Sequence, residues 1–135
     1  MGEVRFQRAG QLKDGSFLLI DDVPCRVFKV DISKPGKHGS AKCRIEAKGI
    51  FDGKVRGDLY GSQDDVKVPV IEKVTAQVIA DAGSNWQLMN METYETFEVP
   101  KPEAGEVDGV IEPGKEVELM KYDAYLKVAK IRSSN

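Results

Sequence analysis

Ala41-Lys42-Cys43-Arg44-Ile45-Glu46-Ala47-Lys48 alternates small or apolar residues with charged ones through eight positions. Successive side chains of a pleated strand point to opposite faces, so Ala41, Cys43, Ile45 and Ala47 share one side and Lys42, Arg44, Glu46 and Lys48 the other. A helix would scatter the same residues around its circumference. The stretch predicts a strand with one face on a core and the other in water, the pattern of an antiparallel sheet.

Immediately upstream, Ser33-Lys34-Pro35-Gly36-Lys37-His38-Gly39-Ser40-Ala41-Lys42 is rich in turn-forming residues. Before it, residues 25–32 put Phe28, Val30 and Ile32 on one face, with Val23-Pro24 marking the entry of the strand. The two strands therefore predict a hairpin with a long tip. Asp14-Gly15, Asp52-Gly53 and Gly61-Ser62 mark further turns between short strands at 16–20, 55–60 and 66–70, which reads as a small five-stranded barrel. After Pro69 a new register begins, in which Val74, Ala76, Val78 and Ala80 alternate with polar positions. This predicts two domains, residues 1–70 and 71–135. In the second, strands are expected at 73–80, 85–91, 93–99, 116–120 and 124–131, with Gly83-Ser84 as a hairpin turn and either a loop or one short helix between Pro100 and Pro113. Five strands with an excursion between the third and fourth is the pattern of an OB-type barrel. No long apolar stripe of 3.6-residue period occurs, so the expected class is all-β, two small barrels with little helix.

The composition fits such a fold: of 135 residues, 41% are hydrophobic and 31% charged, which is a folded chain and not a disordered polyelectrolyte. No apolar run approaches the ~18 residues of a membrane span, and the opening residues lack the apolar segment of a secretory signal. A cytoplasmic protein without membrane association is expected. Cys25 and Cys43 are too few for a disulfide framework and, with His38, fall short of a four-ligand zinc set, so both are expected as small buried residues. The net charge of -2 conceals an asymmetry, because residues 1–70 carry 13 basic and 10 acidic side chains while residues 71–135 carry 7 and 12. Between Arg26 and Arg56 lie 9 basic and 3 acidic residues, a local excess that attracts an anionic partner or simply forms a solvated face.

No catalytic constellation emerges. Around Gly109 to Lys115 the glycine spacing of a phosphate-binding loop is present, but Glu116 stands where a magnesium-holding hydroxyl is required and repels phosphate. The single histidine, His38, sits among cations without a carboxylate partner, and Asp21-Asp22 and Asp64-Asp65 read as solvated turn acids. Trp86, Tyr94 and Phe97 read as core residues in preference to base-stacking platforms. A non-enzymatic protein is expected, with no metal.

The hairpin tip remains. Pro35 fixes its own φ and biases Lys34 toward an extended conformation, while Gly36 and Gly39 permit positive φ on either side of Lys37-His38. Lys37 then stands at an apex flanked by Lys34, Lys42 and Arg44, cations able to displace counterions from a phosphate backbone. The plain alternative is a hairpin tip with incidental lysines.

This ten-residue segment resembles the modification loop of the translation factor 5A family, the hypusine-containing factors, in its archaeal form. The similarity continues through Gly49-Ile50-Phe51-Asp52-Gly53-Lys54 and through Gln87-Leu88-Met89-Asn90-Met91-Glu92-Thr93-Tyr94-Glu95-Thr96-Phe97, and it covers nearly the whole chain. Pro35, where eukaryotic relatives carry threonine, matches the archaeal form. Elongation factor P, the bacterial counterpart, usually has a third domain for which this length leaves no room. The resemblance implies an N-terminal SH3-like barrel and a C-terminal OB-fold. It also implies a ribosome-binding factor acting beside peptidyl tRNA to promote peptide-bond formation at stalled sites such as consecutive prolines. Lys37 would receive an aminobutyl group from spermidine through deoxyhypusine synthase, with no other cofactor. Gly36 and Gly39 would shape the tip, and Lys34, Lys42, His38 and Arg44 would contact RNA. A general single-stranded RNA-binding module using the OB half is the competing reading. A monomer is favoured, although unpaired barrel edges permit a dimer.

Overall fold

The computed structural model describes residues 2–34 and 41–132, and the chain divides into two compact units, Met1–Val70 and Ile71–Asn135. Among the described residues both units are built of strands, with a single 3-10 turn as the only helical element.

The first unit contains β1 (Val4–Arg8), the 3-10 turn Ala9–Gln11, β2 (Phe17–Ile20), β3 (Val23–Ser33), β4 (Lys42–Gly49), β5 (Val55–Gly61) and β6 (Asp65–Pro69). Strands β2-β3-β4-β5 form an antiparallel sheet in that order, and β1 pairs with β6 in a ribbon that lies alongside β2. Alternation in β4 sorts its residues as the sequence predicts. Cys43, Ile45 and Ala47 are fully buried with Leu18, Cys25 and Val27, while Lys42, Arg44 and Lys48 are exposed. Burying each large aliphatic side chain contributes about 1.5–3 kcal/mol, and this core is what fixes the strand register, since a one-residue slip would turn the charged face inward. Both cysteines are free and buried, the small core residues expected of them.

Two features of this unit depart from the sequence reading. The ribbon strand β1 was not expected, and six strands replace the five read from the pattern. None of Val4 to Arg8 is buried, and Phe6 is 66% exposed, so β1 carries no inward apolar face. Its partners in β6, from Val4 opposite Pro69 to Arg8 opposite Asp65, are far away in sequence, and local periodicity cannot reveal such pairing. The second departure lies in β3, where Val27 stands opposite Ala47 but Lys29 opposite Glu46, so Phe28 is the extra residue of a β-bulge. The bulge keeps Val27 inward and Val30 against the core, and it leaves Phe28 45% and Ile32 56% exposed. The shared face of Phe28, Val30 and Ile32 thus runs off the core toward the hairpin tip.

The second unit contains β7 (Glu72–Ala82), β8 (Asn85–Asn90), β9 (Thr96–Pro100), β10 (Glu116–Tyr122) and β11 (Tyr125–Ile131). Its sheet order is β11-β10-β7-β8-β9, and the sheet curls until β9 and β11 approach each other. Leu88, Val78, Val99, Val117, Leu119 and Val128 fill the interior. Gly83-Ser84 makes the two-residue turn between β7 and β8, with Gly83 at φ +84°, a conformation favourable to glycine. Residues 101–115 contain no helix and pass over the sheet as loop, with Val107 and Ile111 packed on the core.

The expected strand at 93–99 starts late, at Thr96, and Tyr94 is not a core residue. The Asn90 side-chain oxygen accepts the N–H groups of Glu92 at 2.8 Å and Thr93 at 3.2 Å, and the Asn90 carbonyl accepts that of Tyr94 at 2.8 Å. This turn sets Tyr94 at φ +61° and leaves its ring 69% exposed. An aromatic residue in the left-handed region is uncommon, and the asparagine-built turn holds it there. Phe97 and Trp86 do pack against the core, partly buried, in keeping with the sequence reading.

Candidate nucleic-acid interface

Strands β3 and β4 pair from Cys25 opposite Gly49 to Ser33 opposite Lys42, which forms a long ribbon. Pro35, Gly36, Lys37, His38, Gly39 and Ser40 lie outside the described residues. Among the sequence-predicted site residues within them, Lys34, Lys42 and Arg44 are all exposed near the tip. Strand alternation aims Lys42 and Arg44 outward because Cys43 and Ile45 between them are buried.

Among the described residues no acid pairs with these cations. Across β4, Lys42 stands between Ser33 and Gly61, and Arg44 between Asp31 and Leu59. Asp31 is taken by Lys29, at 3.7 Å, and among the described residues no ion pair involves Lys34, Lys42, Arg44 or Lys48. Unpaired cations on one rigid ribbon keep their full attraction for an external polyanion, because nothing internal must be broken first.

The second unit treats its cations differently. Lys101 pairs with Asp81 at 2.8 Å, Lys127 with Glu106 at 3.0 Å, Lys130 with Glu118 at 3.5 Å and Lys115 with Glu112 at 3.8 Å. Lys101 also lies 4.5 Å from the centroid of the Trp86 ring and covers it. Its hydrogen bond holds the Asp81 carboxyl below the ordinary range. Lys115 also donates to the Val110 carbonyl at 2.9 Å, so this lysine is tied down inside its own loop and no phosphate cradle is formed.

At the opposite end of β4 from the tip, the turn to β5 is clamped. Asp52 accepts two hydrogen bonds from Arg56, at 2.8 and 3.1 Å, and one from the Lys54 N–H at 3.0 Å. These donors hold the Asp52 carboxyl down at about 2, with the Arg56 guanidinium the main cause, and raise Arg56 in return. The carboxylate lies directly over Gly49, where any Cβ would collide with Asp52 Oδ1. Gly49 N–H bonds the Lys54 carbonyl at 2.8 Å and Ile50 N–H bonds Pro24 at 2.9 Å, tying the turn back to β3. Beneath it, burial pushes the Cys25 thiol up against the pull of Arg56, and its Sγ donates to the Val23 carbonyl at 3.3 Å. The sequence reading marked Asp52-Gly53 as a turn but missed the clamp. The signal available was an arginine four residues beyond a turn aspartate.

Among the described residues no cluster of His, Cys, Asp and Glu could hold a metal ion, and no helix is long and apolar enough to cross a membrane. What the described geometry offers is a cationic ribbon presented on a clamped root.

Residues 3–64 match the family described as translation initiation factor 5A-like, N-terminal, and residues 71–126 match the elongation factor P OB domain. Together with the two all-β units these matches define the class, a translation factor. Translation initiation factor 5A of Methanopyrus kandleri is 52% identical over 122 residues, which cover 90% of this chain and 90% of that one. The factor of the same name from Pyrococcus horikoshii is 46% identical over 134 residues, covering 98% and 97%. A solved structure described as eukaryotic translation initiation factor 5A from Methanococcus jannaschii matches with a TM-score of 0.89 at 35% identity, over 98% of this chain and 100% of that one. The chain belongs to the translation initiation factor 5A family.

Proposed function

We propose that this factor binds the ribosome beside peptidyl tRNA and that a modified Lys37 reaches the acceptor end of the tRNA, promoting peptide-bond formation at stalled sites such as consecutive prolines. The observation that carries this reading is the set of unpaired cations, Lys34, Lys42 and Arg44, on the ribbon that leads to the Lys37 loop. They supply attraction to phosphate, while the ribbon supplies direction. Gly36 and Gly39 give the loop the backbone freedom to present Lys37, and His38 adds a polar contact to RNA. Deoxyhypusine synthase transfers an aminobutyl group from spermidine to the Lys37 Nζ: the carbon–nitrogen bond between that group and the rest of spermidine breaks, 1,3-diaminopropane leaves, and a new carbon–nitrogen bond to Nζ gives a longer arm with a second amine. The protein contributes orientation and leaves the chemistry to the ribosome. Holding a reacting end in its attack geometry lowers the barrier by removing entropy beforehand, without any proton transfer by the factor.

Mass spectrometry of the Lys37 peptide from protein made in its native host tests the modification. An aminobutyl addition is expected, and unmodified lysine throughout would overturn the reading. Exposed Tyr94 favours a second reading, single-stranded RNA binding by the OB unit, in which Tyr94→Ala weakens RNA binding more than Lys37→Ala does. The Lys101 ammonium over Trp86 counts against it, because that ring face is already covered.

A further inference from the structure

Aspartate precedes glycine at Asp14-Gly15, Asp52-Gly53 and Asp108-Gly109. Each such step carries a latent reaction, because the glycine amide nitrogen can attack the side-chain carboxyl carbon of the aspartate before it and close a five-membered ring. Glycine hinders that approach least, having no Cβ. The nitrogen must be free to move onto the carboxyl, and the carboxyl must be protonated, since a carboxylate is a poor electrophile.

The fold withholds these conditions at the first two steps. The Gly15 N–H is held by the Val27 carbonyl of β3 at 2.7 Å. The Gly53 N–H is held by the Gly49 carbonyl at 3.0 Å, and the Asp52 carboxylate is gripped by Arg56 and the Lys54 N–H, which keep it ionised. At Asp108-Gly109 both restraints are missing. The two residues are exposed in the loop over the second unit, and among the described residues no acceptor takes the Gly109 N–H and no donor engages the Asp108 carboxylate. Gly109 also stands at φ +96°, where an added Cβ would come within 3.3 Å of Ile131 Cδ1. The fold itself therefore requires at this position the residue that leaves the nitrogen open.

We propose that Asp108-Gly109 is the site at which the folded factor isomerises to isoaspartate. The Gly109 nitrogen bonds to the Asp108 Cγ and loses its proton, and the carboxyl hydroxyl departs with a proton as water. A second water opens the resulting succinimide. Attack at the side-chain carbonyl breaks the new bond and returns aspartate. Attack at the main-chain carbonyl breaks the original peptide bond, so the chain runs on through Cβ and Cγ and an α-carboxylate is set free. Nothing is oxidised or reduced, and the mass is unchanged.

The extra main-chain carbon enters between Val107 and Ile111, both packed on the core. The loop is pinned on either side of the step by Glu106 to Lys127, at 3.0 Å, and by the Val110 carbonyl to Lys115, at 2.9 Å, so the added length must be taken up between these anchors. The α-carboxylate is the group that isoaspartyl methyltransferases accept, moving a methyl from the sulfonium of S-adenosylmethionine to a carboxylate oxygen.

The full chain, aged at neutral pH and raised temperature with and without urea, tests this. Methyl acceptance from labelled S-adenosylmethionine by a purified isoaspartyl methyltransferase reads the amount, and electron-transfer fragmentation in the mass spectrometer reads the position. In the native chain isoaspartate is expected at residue 108 at least ~10-fold faster than at 14 or 52, the equivalent of ~1.4 kcal/mol in barrier, and in urea the three rates are expected to converge. Asp108→Glu, which would have to close a six-membered ring, is expected to lose most of the methyl acceptance of aged native wild type while keeping its urea midpoint. A native chain that forms no isoaspartate at 108, or forms it no faster there than at 14 and 52, overturns the proposal. So does an Asp108→Glu variant that accepts methyl groups as wild type does.

Discussion

The two units of this factor use their cations differently. In the second, lysines are engaged at home, by Asp81, Glu106, Glu112 and Glu118, and Lys101 also caps Trp86. In the first, Lys34, Lys42, Arg44 and Lys48 are exposed along one hairpin, and among the described residues no acid pairs with them. The difference shows that a count of basic residues says little about binding, because a cation already paired has little attraction left to give. What matters is which neighbours the sheet register supplies, and beside Lys42 and Arg44 it supplies Ser33, Gly61 and Leu59 along with an Asp31 already paired to Lys29.

The sharpest way to break this contrast is to remove what holds the ribbon flat. Ile45→Ala deletes a fully buried side chain on β4 and is expected to cost about 2–5 kcal/mol, read as a lower urea midpoint by circular dichroism. Lys37→Ala is expected to leave that midpoint unchanged and to slow synthesis through consecutive prolines by ~10²-fold in a reconstituted translation assay, the scale of misplacing a reacting end by about 1 Å. Lys101→Ala in the second unit should leave that rate alone. A finer distinction comes from salt. Replacing Lys42 or Arg44 by glutamine is expected to reduce the slope of log affinity for single-stranded RNA against log salt by about 0.7 each, whereas Lys130→Gln leaves the slope unchanged.

Smaller effects test the clamp at the hairpin root. The folded Asp52 carboxyl, at about 2, lies below its ordinary 3.8, so its contribution is complete above pH 3.8 and is lost as pH falls through 2. Asp52→Asn should remove that part of the acid dependence of the urea midpoint and cost at most about 1 kcal/mol at neutral pH, the range of a well-formed exposed pair. Last in size, Tyr94→Asn relieves a left-handed aromatic residue and is expected to raise stability by about 1 kcal/mol or less.

Much of this architecture is legible in one dimension. The alternation at 41–48 gives the two faces of β4, and with them the outward aim of Lys42 and Arg44, because a period of two is a property of the strand itself. Gly83-Ser84 is readable for the same reason, a turn decided by its own two residues. Pairing over long distances is not readable in this way. β1 exists because β6 is there to receive it, the bulge at Phe28 appears only when β3 is laid against β4, and Tyr94 leaves the core because the side chain of Asn90 captures the backbone after it. The unpaired state of the hairpin cations belongs to this second kind. It depends on what β5 brings alongside, and nothing between residues 41 and 48 announces it.

The clamp has a mechanical meaning as well. β4 runs through eight residues from Gly49 at the root to Lys42 near the tip, roughly 25 Å at ~3.3 Å per residue. Over such an arm a small rotation at the fulcrum becomes a large sweep at the far end. A tilt of about 5° would carry the end of the arm roughly 2 Å, enough to move a reacting group out of line. The clamp over Gly49 therefore acts at a distance: the stiffness of that turn sets how steadily the far end of β4, at Lys42, is held.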